Sequence, residues 1–259
     1  MTGIPFFQVD AFAERPLTGN PAAVMPLDRW LPEGVMQAIA AENNLAETAF
    51  TVASESDDAD YHLRWFTPSV EVNLCGHATL AAAHVLIHSE PVRFSTRSGI
   101  LTVSRRDGLL DLEMPSAPPD RADLPEVLDA LGVSGETFLS RAGNGNAIVL
   151  LGSEKDVRSV RPDFAALARL PYLVSVTSTG TEQDVASRVF AAYHGVPEDP
   201  VTGSAHTCLV PFWAERLGRT EFTALQASPR TGVLHCRLEG DRVVLGGHCV
   251  TVIAGTFQL

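Results

Sequence analysis

The sequence is poor in positive charge and almost free of lysine, since Lys155 is the single lysine among 259 residues. Its 31 aspartate and glutamate residues outnumber its 19 lysine and arginine residues, which gives a formal net charge of −12. Proteins that bind nucleic acid hold the phosphates with a basic stripe, and this sequence has none. The composition therefore argues against a nucleic-acid partner.

Cysteine and long apolar runs are also scarce. The four cysteines are scattered and form no Cys-x-x-Cys pair, which fits reduced thiols better than a disulfide framework or a zinc site. No apolar run is long enough to span a bilayer, and the first residues lack the pattern of a secretory signal. These absences predict a cytoplasmic protein with no membrane partner.

Two stretches share one pattern, a glycine turn that leads into a helix with apolar residues on every side. They span residues 74–86 and 202–213, and a strand-like run precedes each one, at residues 64–66 and 188–190. A helix of that kind must be buried all round. Two copies of one unit predict two similar halves with a pocket between them. The unpaired N–H groups at the two helix starts make an anion a natural occupant of that pocket.

The arrangement of the remaining elements predicts the fold class. Each half has several short strand-like runs around its apolar helix, which favours a curved sheet wrapped around a helix over alternating parallel β-α-β units. Residues 115–125 contain four prolines and three charges and form the best candidate linker. We therefore expect an α+β protein of two halves, and we expect helices at 76–87 and 203–217 to be nearly inaccessible to solvent.

Three residues are candidates for acid–base chemistry. Glu47 follows a helix end, begins an apolar strand and has no basic neighbour in sequence, so desolvation would raise its pKa and suit proton transfer. A solvated surface acid is the competing interpretation. Asp199 precedes the second glycine turn and is either a turn residue or a second carboxylate in the pocket of Glu47. His77 lies at a helix start, which disfavours the imidazolium and predicts a neutral ring, unless it is simply a capping or core histidine.

Cysteine and histidine offer weaker candidates. Cys75 precedes the first apolar helix, where a thiolate base would have a lowered pKa, but a buried small apolar residue is the commoner role. A symmetrical two-thiol racemase would need a second cysteine at the matching point, which Thr202 occupies. His84 and His88 stand four apart, but Val85 replaces the glutamate that a zinc-peptidase motif requires. We therefore predict no metal site.

Motif-bearing segments are spread over nearly the whole chain, at residues 7–12, 19–24, 44–50, 74–79, 198–205, 226–230 and 250–252. Together they resemble the phenazine-biosynthesis PhzF-like isomerase family, which belongs to the diaminopimelate epimerase and proline racemase structural group. The resemblance implies two pseudo-symmetric domains, each a barrel-like, mostly antiparallel sheet around a central buried helix. These domains would span residues 1–117 plus 250–259 and residues 118–249, with the active-site cleft between them.

The resemblance also implies the site and the chemistry. It places catalytic residues on Glu47, His77 and Asp199, and substrate-binding groups on Gly76, Gly203 and Ser204. It implies no cofactor, no metal, a small carboxylate-bearing substrate and a homodimer. In the phenazine enzyme the reaction moves a hydrogen along a dihydroaromatic amino acid. This sequence departs from the family where Asn73 replaces a common Asp and where Thr231 replaces the first of two glycines.

Three functions are compatible with these residues. A cofactor-independent isomerase would use Glu47 to take a proton from carbon and return it at another position or face. A dehydratase or epimerase of the proline-racemase type would use Cys75 as its base. A non-catalytic binder of small molecules would keep the anion site at the helix starts and would not need Glu47. Because Thr202 stands opposite Cys75, we expect Cys75 to be dispensable.

Overall fold

The computed structural model describes residues 3–88, 91–141 and 145–259, and it divides the chain into two compact units. The first unit comprises Met1–Glu113 and Gly246–Leu259, and the second comprises Met114–Leu245. The fold class is α+β, as predicted, because strands outnumber helices in both units. Within the described ranges, no helix is long and apolar enough to cross a membrane.

The first unit begins with the N-terminal strand of the chain. Its elements are β1 Gly3–Ala11, β2 Asn20–Leu27, α1 Glu33–Asn43, β3 Glu47–Ala53, β4 Tyr61–Phe66, β5 Glu71–Val72, α2 Gly76–Leu86, β6 Val92–Thr96, β7 Gly99–Arg106 and β8 Leu109–Pro115. The helix α1 packs Met36 and Ile39 against Met25 of β2 and Phe50 of β3, which gives this unit a second apolar cluster beside the buried α2.

The second unit continues the chain, and the last strand returns to the first unit. The elements are β9 Asp120–Arg121, α3 Pro125–Leu131, β10 Glu136–Ser140, β11 Asn146–Leu150, α4 Glu154–Ser159, α5 Phe164–Leu167, β12 Leu173–Thr179, β13 Val185–Ala191, the 3₁₀ turn Ala192–His194, β14 Val196–Asp199, α6 Gly203–Leu217, β15 Glu221–Gln226, β16 Gly232–Glu239, β17 Arg242–Gly247 and β18 Cys249–Gln258. The strand β18 pairs antiparallel with β1 along its whole length.

Strand pairing follows the same order in the two units. In the first, β1–β2 is antiparallel, β2–β3 parallel, β3–β4 antiparallel, β4–β6 parallel and β6–β7 antiparallel. The second unit has the same sequence of pairings: β10–β11 is antiparallel, β11–β12 parallel, β12–β13 antiparallel, β13–β15 parallel and β15–β16 antiparallel. The short strands β5 and β14 and the helices α2 and α6 occupy matching places. The duplicated pattern in the sequence therefore reflects a duplicated supersecondary unit.

The two apolar helices are buried, as predicted. Nine of the eleven residues of α2 are buried, and this helix contacts β1, β2, β3 and β18. Ten of the fifteen residues of α6 are buried, and its exposed residues are Ser204 in the first turn and Glu215 and Arg216 in the last turn. Alanine-rich α2 has no polar face to turn towards water, so burial against the sheet is its stable environment.

A largely buried arginine–glutamate pair precedes each of these helices at the same place in the repeat. Arg64 of β4 donates from Nε and Nη2 to both carboxylate oxygens of Glu71, at 2.7 Å each. Arg188 of β13 makes the same two-pronged contact with Glu198, at 2.8 Å each. Both glutamates stand five residues before the glycine that begins the helix. Each pair therefore ties a central strand to the loop that leads into the helix start.

Several element boundaries differ from the expectation. Residues 115–125 are not a free linker, since the N–H groups of Ser116 and Ala117 bond to the carbonyls of Asp241 and Thr207, and β9 pairs with β10. The two compact units divide at Met114 and Gly246, and the domain bounds at residues 117 and 250 stay a prediction. The first helix ends at Leu86, because Ile87 adopts an extended backbone. Met1 and Thr2, from which no signal was expected, lie outside the described residues.

Candidate active site

Glu47 and His77 lie next to each other in the first unit. Glu47 is the first residue of β3, and His77 is the second residue of α2. The ring Nε2 of His77 lies 3.1 Å from Oε2 of Glu47, and the side chains are 5% and 18% exposed. A carboxylate and an imidazole thus lie within ion-pair distance of each other in a largely desolvated place, where each acts strongly on the protonation of the other.

The repeat explains why these residues converge. The strands β2 and β3 run parallel, and Ala22 pairs with Glu47, so both strands begin at the same end of the sheet. The helix α2 packs on both strands with His77 in its first turn. Cys75, which precedes α2, has an extended backbone and turns the chain into the helix.

Asn20, the first residue of β2, also contacts this pair. Its Nδ2 lies 3.2 Å from Nδ1 of His77, and the sulfur of Cys75 lies 3.5 Å from the same ring nitrogen. Asn20 is fully buried. The sequence reasoning missed Asn20 as a site residue, although it lies in the motif-bearing segment 19–24. The usable signal was its place at the start of a strand parallel to the one that begins with Glu47.

The neutral state of His77 stays a prediction, and the charges around the ring favour the imidazolium. Burial by itself lowers the pKa of His77, but the facing Cys75 sulfur and Glu47 carboxylate outweigh burial and hold this pKa well above its ordinary value. A carboxylate 3.1 Å from the ring acts directly on the imidazolium, and in a buried place it is scarcely screened.

Burial, and secondly the nearby Glu47 carboxylate, raise the pKa of the Cys75 thiol. The lowered pKa that a thiolate base at a helix start would show is therefore not found. The thiol is 7% exposed and takes the role of a small buried side chain.

Ligand atoms of Glu47, Cys75 and His77 lie within 4.8 Å of one another, a grouping that could hold a metal ion. The sulfur faces Nδ1 of the ring, however, whereas the carboxylate faces Nε2. An ion bound at Nδ1 would therefore lie near the sulfur but not the carboxylate, and an ion bound at Nε2 would lie near the carboxylate but not the sulfur. Either arrangement is a poor fit to a tetrahedral site. Histidines 84 and 88 join no cluster of metal-binding groups among the described residues.

In the second unit Asp199 forms the end of β14, and its contacts join the elements around the start of α6. Its carboxylate accepts a hydrogen bond from the Thr202 hydroxyl at 2.5 Å. Its backbone carbonyl accepts two hydrogen bonds, from Gln226 Nε2 of β15 at 2.7 Å and from Ser228 Oγ in the following turn at 3.1 Å. Gln226 Oε1 in turn accepts from the N–H of Thr202. That Asp199 also shares a pocket with Glu47 stays a prediction.

The predicted substrate-binding groups occupy the two helix starts. Gly76 and Gly203 are the first residues of α2 and α6, and both are buried. Ser204 is the exposed second residue of α6 and takes the place that His77 has in α2. The residues that precede the two helices, Cys75 and Thr202, make no side-chain cap hydrogen bond to the first turn. Such uncapped starts present N–H groups and partial positive charge, which suit an anion.

The family model for phenazine biosynthesis-like proteins (PhzC-PhzF) matches residues 9–255, which is nearly the whole chain. The chain belongs to this family. It is 51% identical to an uncharacterized isomerase of Pseudomonas aeruginosa, over 99% of each chain. Its structure resembles that of a PhzF-family protein of Enterococcus faecalis, with a TM-score of 0.93, 43% identity and complete coverage of both chains.

A more distant structural neighbour shares only the fold. A hydroxyproline epimerase of Agrobacterium vitis is 12% identical and gives a TM-score of 0.60 over 98% of this chain and 92% of its own. The family and these neighbours confirm the epimerase-like fold that the sequence motifs implied. Since the relatives of this family are named isomerases, the protein is an enzyme of the isomerase class.

Proposed function

We propose that this isomerase moves a proton between two carbon atoms of a small carboxylate-bearing substrate, with Glu47 as the acid–base group and no cofactor. The single observation that carries the proposal is the 3.1 Å contact between Glu47 and His77 in a buried place. The Glu47 carboxylate takes a proton from a C–H bond, and the electron pair left behind shifts along a neighbouring double bond. The Glu47 carboxyl group then returns the proton at the far carbon. Nothing is oxidised or reduced.

His77 prepares Glu47 for the first step. Because the pKa of His77 is held well above its ordinary value, the ring carries its proton at neutral pH and balances the Glu47 charge. Glu47 is then available as an ionised base in a place where an isolated carboxylate would be costly. A general base of this kind contributes roughly 10²–10⁴-fold to the rate.

A single base favours a shift of the proton along one face of the substrate. Epimerisation by two bases needs one acid–base group on each face, and a repeated fold supplies it from matching places. Here the place that matches Glu47 at the start of β3 is Leu173 at the start of β12. The place that matches Cys75 is Thr202. Neither Leu173 nor Thr202 is a useful base, which supports isomerisation by Glu47.

The helix starts support an anionic substrate. Each one stabilises a bound anion by roughly 0.3–2 kcal/mol, which would offset part of the repulsion from a chain of net charge −12. We assign the substrate carboxylate to the N–H groups at Gly76 and Gly203, with Asp199 and Ser204 as further substrate contacts. The homodimer and the cytoplasmic location stay predictions, and light scattering on the purified protein would test the first.

The experiment is a screen of unsaturated carboxylic acids and dihydroaromatic amino acids by ¹H NMR in D₂O. The proposal expects at least one compound whose double bond moves, with deuterium at the new C–H position wherever Glu47 exchanges its proton before returning it. Glu47→Gln should abolish this conversion, and Glu113→Gln is the matched control for an exposed acid. Conversion that persists unchanged in Glu47→Gln, or binding of substrate analogues with no conversion by the wild type, would refute the proposal.

A further inference from the structure

The hydrogen bond between Asn20 and His77 carries an inference beyond the proton-transfer pair. The two nitrogens of the His77 ring face different partners. Nε2 faces the Glu47 carboxylate at 3.1 Å, whereas Nδ1 faces Asn20 Nδ2 at 3.2 Å and the Cys75 sulfur at 3.5 Å. The partner at one ring nitrogen decides which protonation state of the ring is favoured, because a donor there stabilises a bare nitrogen and an acceptor stabilises N–H.

Asn20 is the stronger of the two partners at Nδ1. A thiol is a weak donor and a weak acceptor, whereas a carboxamide has a strong donor end and a strong acceptor end. The amide nitrogen can donate to the neutral ring, and a half-turn of the amide would place its oxygen where it accepts from the imidazolium. Asn20 can therefore partner both protonation states of His77 without any movement of the backbone.

The surrounding structure fixes Asn20 in this place. Asn20 is fully buried and pairs with Ala11 at the last register position of the β1–β2 hairpin. The turn before it needs Gly19, which has a φ of +66° and lies so close to the Ala11 carbonyl oxygen that a Cβ atom would be 2.2 Å away. Asp10 accepts the N–H of Leu17 at 2.8 Å and holds the same turn.

We propose that Asn20 is a positioning residue, whose amide follows the protonation of His77 at Nδ1 and so keeps Nε2 directed at Glu47 throughout the reaction. Its importance for catalysis rests on the proposed function, but the hydrogen bond itself does not. The titratable groups that act on the ring are Glu47 from β3 and Cys75 before α2. Asn20 is the uncharged member of the cluster, and it can adjust to the ring without titrating.

The test compares three variants by ¹⁵N NMR of the His77 ring in the absence of substrate. Asn20→Asp offers only acceptors and should raise the His77 pKa above that of the wild type. Asn20→Leu has a similar size but no polar atoms and should lower it. Asn146→Leu is the control, because Asn146 is also a buried asparagine that begins a strand, β11, and it lies in the other unit. It should leave the His77 titration unchanged.

Activity then separates positioning from binding. If the proposed function holds, Asn20→Leu should lower kcat by roughly 10–100-fold, the usual effect of removing a group that orients a functional histidine, with KM nearly unchanged. Asn20→Asp should shift the pH profile of kcat in the direction of the His77 titration. If no substrate is turned over by any form of the protein, the proposed function fails while the NMR result still decides whether Asn20 controls the ring.

A measurement on the wild type covers the case in which the variants do not fold. The side-chain amide signals of Asn20 should move during the His77 titration with the same midpoint, because the amide turns as Nδ1 gains its proton. The amide signals of Asn146 should not move with that midpoint. Asn20 signals that stay fixed while His77 titrates, or an Asn20→Leu variant with an unchanged His77 titration, would overturn the inference.

Discussion

At the scale of single residues, the contact between Glu47 and His77 shows that a sequence can point to a site without reporting the protonation states of its residues. The motifs around both residues placed them in one site through the family resemblance. The ionisation of His77 depended on which atom faces Nε2, and no sequence pattern reports that distance. Asn20 was missed for the same reason, because its role comes from a contact across 57 residues of chain.

Thr231 offers a prediction at this scale. Its φ of +55° lies in the left-handed region, which is unfavourable for a β-branched residue by about 1–2 kcal/mol. Glycine adopts this backbone without strain. Thr231→Gly should therefore raise the free energy of unfolding by about 1 kcal/mol, measured as a higher urea midpoint with the same m-value.

The control for this substitution is Asp107, whose φ is +53°. Aspartate tolerates the left-handed region better than threonine does, so Asp107→Gly should gain less stability than Thr231→Gly. An unchanged or lower urea midpoint for Thr231→Gly would show that the backbone of this turn is not strained by its side chain.

At the scale of elements, the duplicated arginine–glutamate pairs are the contacts that lead into the two helix starts. Arg188 and Glu198 are 10% and 13% exposed, and Arg188 also donates to the carbonyls of Val157, Arg158 and Val160. In the first unit Glu71 is shared, because Arg97 contacts it at 2.8 Å in addition to Arg64. If the paired arginine is removed, Glu71 therefore keeps Arg97 as a second partner, and the two pairs differ in this respect.

This difference predicts unequal costs. Arg188→Met leaves the nearly buried Glu198 carboxylate without this partner. It should lower the free energy of unfolding by roughly 3–5 kcal/mol, as expected for one partner removed from a buried pair. Arg64→Met leaves Arg97 beside Glu71 and should cost clearly less. Urea denaturation of both variants measures the two costs. Equal costs, or a larger cost for Arg64→Met, would show that Arg97 does not compensate and would refute this reading of the pairs.

Element boundaries also show the limits of sequence reasoning. The strands and buried helices with clear apolar patterns were found to within a few residues. The two-residue strands β5 and β9 were missed, because they are defined by their partners rather than by their own composition. The prolines of residues 115–125 suggested a linker, but the N–H groups between them find carbonyl partners in distant elements. The helix α5 is confined to Phe164–Leu167, between the prolines at 162 and 171.

At the scale of the whole molecule, His206 predicts how stability depends on pH. Burial lowers the pKa of His206 to about 4, against a hydrogen bond from Nδ1 to the Thr202 carbonyl that acts in the opposite direction. His206 therefore takes up a proton near pH 6.5 in the unfolded chain, but only near pH 4 in the folded chain. The contribution of His206 to the free energy of unfolding should be fully present above pH 6.5. It should fall by about 3 kcal/mol as the pH drops to about 4.

Denaturation of the wild type and of His206→Gln between pH 7 and pH 4 checks this expectation. The variant keeps an amide donor but does not titrate, so its loss of stability in this range should be smaller by about the same amount. His88→Gln, which alters an exposed histidine, is the control and should follow the wild type. If the free energy of unfolding fell equally with pH in His206→Gln and in the wild type, His206 would not be the cause of the acid sensitivity.

The measurement that tests the account most directly is the turnover of wild type, Glu47→Gln and Cys75→Ala on one and the same substrate. Both changed residues touch His77, and both side chains are largely buried, so the comparison isolates which group carries the proton. The account predicts a loss of roughly 10²–10⁴-fold or more for Glu47→Gln, and activity within about tenfold of wild type for Cys75→Ala, with both variants folded. A loss of several orders of magnitude in folded Cys75→Ala, with Glu47→Gln still active, would contradict it.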